Sequence, residues 1–160
     1  MDDISDIGVP HTILNRVDTT CGIEMLVMAS ELLSGDLLSL VKSNPGHKEL
    51  PRLVGEVFSI LRSLVREKIV HEDLHLGNVL IRSDETGYLT SVIHDFGEST
   101  RDRSPYEHLR DISKFIHSLE TMDGILFEDK LESCKLLVDN VGLYPTEYEI
   151  LDLLVALEKK

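Results

Sequence analysis

With 160 residues, 16 Lys and Arg against 29 Asp and Glu, and a formal net charge of −13, the chain carries a field that repels phosphate backbones and anionic membrane surfaces. Nucleic acid and membranes are thereby excluded as expected partners. Neither a run of about 18 apolar residues nor a basic leader with an apolar stretch occurs, which predicts a soluble, intracellular protein of one domain.

MDDISDIGVP is acidic and without periodicity, the pattern of a loosely held end. From His11 to Met28 the apolar runs TILNRV and IEMLVM flank DTTCG, as two short strands joined by a turn would. In ELLSGDLLSLVK, Gly35 and Asp36 precede an apolar repeat, with Asp36 placed as the N-cap of a short helix that SNPGHKEL ends. PRLVGEVFSILRSLVREK opens with Pro51 at a permitted first-turn position and spaces Val54, Val57, Phe58, Leu61, Leu64 and Val65 along one face, predicting a long amphipathic helix.

After the polar segment HEDLHLGN, the runs VLIR and LTSVIHDF read as a strand pair around the turn SDETGY, with β-branched residues where a pleated surface takes them. Leu109, Ile112, Phe115, Ile116 and Leu119 then repeat at helical spacing, and Leu131, Cys134, Leu137 and Val138 do so further on. The last helix starts at PTEYE, where Thr146 and Glu149 suit a capping box. Helices with a few short strands predict an α+β chain. Cys21 and Cys134 belong to no C-x-x-C pair, so two reduced thiols are expected.

His71-Glu72-Asp73-Leu74-His75-Leu76-Gly77-Asn78 lies between the long helix and a strand, so Asp73 and Asn78 share one polar loop held by rigid neighbours. Phosphoryl transfer needs a carboxylate that accepts or orients the attacking hydroxyl, and oxygen ligands that hold magnesium against nucleotide phosphates. Asp73 suits the first role and Asn78 the second. Asp95, at the end of the next strand, offers another hard ligand, with Gly97 two residues on to let the backbone turn away. The acidic balance does not oppose a magnesium nucleotide, because a divalent cation reverses the local sign among carboxylates. His71, Asp73 and His75 alternate, and on an extended strand they would make a zinc site, but no further ligand pair of suitable spacing follows.

Taken together, HEDLHLGN and HDFGE resemble the protein-kinase-like superfamily, most closely its H-x-D-L-H-x-x-N branch, which includes aminoglycoside and choline phosphotransferases and atypical and viral kinases. Three-letter strings such as DFG arise by chance; both motifs in order, each in its strand and helix context, are far more specific. The resemblance implies a mostly helical C-terminal lobe over 34–160, preceded over 1–33 by an acidic end, a hairpin remnant of the small lobe and the hinge. It implies ATP and Mg2+ as cofactors, Asp73 as the catalytic residue, and Asn78 and Asp95 as metal ligands. Leu80 would line the floor under the adenine, and the backbone of Glu31 to Leu33 would meet its edge. Asp111 resembles the buried Asp of the central large-lobe helix that braces the catalytic loop.

A Gly-rich loop, a V-A-I-K-like Lys and the helix bearing its Glu partner have no counterpart before the hinge, so most of the small lobe is expected to be missing and nucleotide binding to be weak. GESTRDRSPYEHLRD leaves room for only a short connection without an A-P-E segment, and Glu72 replaces the Arg that commonly reads a phosphorylated activation loop. Two functions follow from the resemblance. One is a phosphotransferase moving the ATP γ-phosphate to a hydroxyl, protein Ser/Thr ahead of a small molecule. The other is a catalytically impaired pseudokinase or decoy that docks on a kinase or a kinase substrate.

Overall fold

The computed structural model describes residues 12–18, 24–30, 35–122 and 128–159. The predicted N-terminal strand pair is present: β1 (Thr12–Asp18) runs antiparallel to β2 (Glu24–Ser30), with Thr12 opposite Ser30 and Asp18 opposite Glu24. Glu31 and Leu33, expected at the adenine edge, lie outside the described residues, as does Cys21. A two-residue strand, β3 (Gly35–Asp36), leads into α1 (Leu37–Ser43), whose first turn is capped as predicted, the Asp36 carboxylate accepting from the Ser39 amide at 2.7 Å.

The long predicted helix is α2 (Leu50–Arg66), with Pro51 in its first turn, where a missing N–H costs nothing. Its apolar stripe, Leu53, Val57, Leu61 and Leu64 among others, is buried. It packs on α5 (Glu147–Glu158) and on the sheet formed by β5 (Val79–Ser83) and β6 (Leu89–Ile93). These two strands are antiparallel, with Val79 opposite Ile93, and β3 joins the other side of β5 to give the order β3-β5-β6. The turn between them is held by the Asp84 carboxylate, which accepts from the Thr86 amide at 2.8 Å and the Tyr88 amide at 2.9 Å, and by Gly87 at φ 83°.

Polar contacts lock α2 to the outer strand. Glu56 takes the Ser91 amide at 2.8 Å, so a helix side chain satisfies a donor of the edge strand. Ser91 Oγ donates to the Leu53 carbonyl at 2.8 Å. Arg52 donates to Glu49, Glu56 and the Leu89 carbonyl, and its guanidinium lies 4.4 Å from the centre of the Tyr88 ring.

Past the HEDLHLGN and HDFGE motifs, α3 (Pro105–Glu120) buries Leu109, Ile112, Phe115, Ile116 and Leu119, as its spacing predicts. Phe115 meets Phe58 of α2 edge-to-face, ring centres 5.8 Å apart. Leu131 and Cys134 are buried on α4 (Glu128–Asp139). The Thr146 and Glu149 capping box opens α5. The chain is an α+β, mostly helical kinase-like fold. Its smallest sheet was not anticipated: β4 (Ile69–Val70) pairs antiparallel with β7 (Thr100–Arg101), and two-residue strands show no period in sequence.

His108, buried on α3, makes folding sensitive to mild acid. Burial holds it below the ordinary histidine value, with Lys68 pushing the same way and Glu147 and Glu107 opposing. The unfolded chain therefore binds a proton more readily than the native one, so stability is complete above the unfolded value of about 6.5 and falls as pH drops below it. Melting curves from pH 7.5 down to 5.5 should show this loss, and His108→Gln should flatten it. An equal slope in the variant would rule His108 out as the cause.

Candidate functional site

Directly after β4, the chain enters the HEDLHLGN loop at His71, whose side chain is fully buried. Its Nδ1 accepts from the Asp73 amide at 3.2 Å and its Nε2 lies 2.7 Å from the His94 carbonyl. A neutral imidazole with the proton on Nε2 satisfies both contacts. The ring also packs at 60° on Phe96, centres 4.8 Å apart, which ties the loop to the Asp95-Phe96-Gly97 motif. With both ring nitrogens committed to backbone, His71 is not a metal ligand. Among the described residues, no three His, Cys, Asp or Glu side chains converge as a metal site.

Asp111 of α3 lies beneath the same loop, 2% exposed, with one carboxylate oxygen accepting from the His71 amide at 2.7 Å and the other from the Glu72 amide at 3.0 Å. The expected brace is therefore in place. Burial pushes this carboxyl above its ordinary range, and the two amide donors oppose that shift. Leu76 is held as well, its amide donating to Ser118 Oγ at 3.2 Å.

Asp73 is gripped through its backbone, its amide by His71 and its carbonyl by Asn78 Nδ2 at 2.8 Å. Its side chain remains 56% exposed, with Asn78 Nδ2 at 3.4 Å from one oxygen. Because the Asn78 amide nitrogen must face that carbonyl, Oδ1 is the atom left over; no described residue donates to it. His75 caps the 3₁₀ turn Leu76–Asn78, its Nδ1 accepting from the Gly77 amide at 3.1 Å. A Cβ on Gly77 would sit 3.0 Å from the His75 ring, so only glycine leaves this cap undisturbed.

Asp95 follows β6 in the left-handed region, φ 62° and ψ 64°, exposed, with no hydrogen bond from a described residue to its carboxylate. Aspartate is one of the few side chains that tolerates this backbone. The turn expected of Gly97 is thus made by Asp95 itself: among the described glycines only Gly87 has a positive φ, and a Cβ on Gly97 would make ordinary contact at 3.5 Å. Leu80 sits in β5 opposite Asp36 and Val92. Strand alternation sends its neighbours Val79 and Ile81 into the helical core and leaves Leu80, half-buried, on the sheet's other face.

Lys114 was not singled out by its sequence position, and Glu72 only as the replacement for an Arg that reads a phosphorylated activation loop, yet both meet at this loop together with Thr100. Thr100 Oγ1 donates to Glu72 Oε1 at 2.8 Å, and Lys114 Nζ donates to the Glu72 carbonyl. The chain leaving Asp95 therefore returns at once to β4, with no excursion between.

The family model described as the ABC1 atypical kinase-like domain matches residues 1–123. A curated relative is the dual specificity tyrosine-phosphorylation-regulated kinase 2 of Drosophila melanogaster, 27% identical over 164 residues that cover 96% of this chain and 22% of the relative. The chain spans about a fifth of the length of that relative.

Proposed function

Because the chain belongs to the ABC1 atypical kinase-like family, we propose that it binds ATP with magnesium and moves the γ-phosphate to a hydroxyl. The observation that carries this reading is the grip on Asp73. Its amide and carbonyl are each hydrogen-bonded within the loop while its carboxylate faces solvent, which is what a group that meets an incoming hydroxyl requires. In this reading the Asp73 carboxylate accepts the hydroxyl proton as the oxygen attacks.

Asn78 Oδ1 and the Asp95 carboxylate are the residues that would hold magnesium. Both are hard oxygen donors not engaged by described residues, and two protein ligands completed by phosphate oxygens and water suit this ion. When bound, the ion neutralises charge on the phosphate oxygens. Leu80, half-buried in β5, would underlie the adenine. The proposed acceptor is a protein Ser/Thr ahead of a small molecule; the curated relative, named a dual specificity tyrosine-phosphorylation-regulated kinase, supports the kinase reading itself.

Thermal melting with and without magnesium-ATP tests the reading. At about ten times Kd, a ligand that binds only the native state adds about 1.4 kcal/mol. In a chain of this size that raises Tm by about 3–6 °C. Asp95→Gly keeps the left-handed backbone and removes the carboxylate, so it should retain the fold and lose the shift. No shift in the wild type, or an equal one in the variant, would leave the decoy or pseudokinase reading in its place.

A further inference from the structure

We propose that Glu72 is a positioning residue, held by Thr100, that fastens the Asp73 loop to the chain leaving Asp95; the role rests on the phosphotransferase reading, while the latch itself does not. The amide, carbonyl and carboxylate of Glu72 are all engaged, the first two by α3 and the third by β7. Its amide goes to Asp111 on α3, its carbonyl receives Lys114 one turn along α3, and its carboxylate receives Thr100 on β7. Its backbone sits at φ 75°, a region a glutamate rarely adopts and holds only when its surroundings dictate it.

The geometry makes Glu72 a junction. Asp73 follows it immediately, and Val70, paired with Thr100, lies two residues before it. The β4–β7 pairing amounts to two residues a side, too little to be stable by itself. The hydroxyl-to-carboxylate bond adds a charge-assisted contact where that small sheet meets the loop. A shift of Thr100 is thereby passed through Glu72 to the backbone carrying Asp73. The contact needs no added group: an unmodified threonine supplies the donor.

Amide hydrogen exchange on the whole chain, without nucleotide, reads the latch directly. Thr100→Val keeps the shape and removes the donor, so exchange over 71–78 should accelerate by about tenfold while the buried turns of α3 exchange as in the wild type. Glu72→Ala should do the same. Thr100→Ser, which restores the hydroxyl, should stay within about twofold of the wild type. Unchanged exchange over 71–78 in Thr100→Val, acceleration shared equally by α3, or Thr100→Ser behaving like Thr100→Val would each overturn the proposal. If the loop loosens as expected but magnesium-ATP raises Tm in no variant, the latch stands and the phosphotransferase reading fails.

Discussion

Asp111→Ala is expected to destabilise the chain by about 3 kcal/mol, a large part of the 5–15 kcal/mol typical of a domain. Both carboxylate oxygens are used, and both donors are backbone amides of the loop that carries Asp73. Truncation leaves two amide groups unsatisfied around a site that is 2% exposed. Asp111→Asn should be nearly as damaging, because its amide nitrogen would face one of the two N–H donors. Urea unfolding measures the loss.

The pH dependence of this deficit identifies its source. Burial raises the Asp111 pKa, so the native state holds the proton more tightly than the unfolded chain does. The stability this contributes is complete below the unfolded carboxylate value of about 3.9 and is lost as pH rises through the folded value. The gap between wild type and Asp111→Ala should therefore widen toward acid. A gap that closes there would mean that the two amide donors outweigh burial and hold the native carboxyl below its unfolded value.

Asp73→Asn is expected to leave the fold intact and to lower phosphate transfer by about 10²–10⁴-fold, the range spanned by a general base. The carboxylate is 56% exposed and its nearest protein donor is 3.4 Å away, so stability should change by no more than about 0.5 kcal/mol. The backbone grip by His71 and Asn78 does not involve the carboxylate and survives the change. Nucleotide binding, read by the magnesium-ATP shift in Tm, should persist. A variant that transfers phosphate at the wild-type rate would remove Asp73 from the chemistry, whereas one that also loses the shift would place Asp73 in nucleotide binding.

Much of this architecture was legible in advance, for a local reason. Helix α2 declares itself through an apolar stripe of helical period, Asp36 and Thr146 through side chains that cap amides three residues on, and the β5–β6 pair through a short turn closed by Asp84. Asp111 was legible only through resemblance, since nothing in its own neighbourhood announces partners about 40 residues away. His71 was readable as part of a motif, but not as a ring that uses both nitrogens to bind backbone.

By itself the sequence determined the helices, their caps, the central strand pair and the placement of Asp73, Asn78 and Asp95 in two motifs, because each depends on residues within a few positions of one another. Only the tertiary structure decided that β4 pairs with β7, that Asp95 and not Gly97 takes the left-handed turn, and that Glu72 joins Thr100, Asp111 and Lys114. The strand pairing and the Glu72 junction depend on segments 28 to 42 residues apart meeting over one packed core. A single polar residue at either end of such a pair carries no periodicity and no cap to reveal its partner.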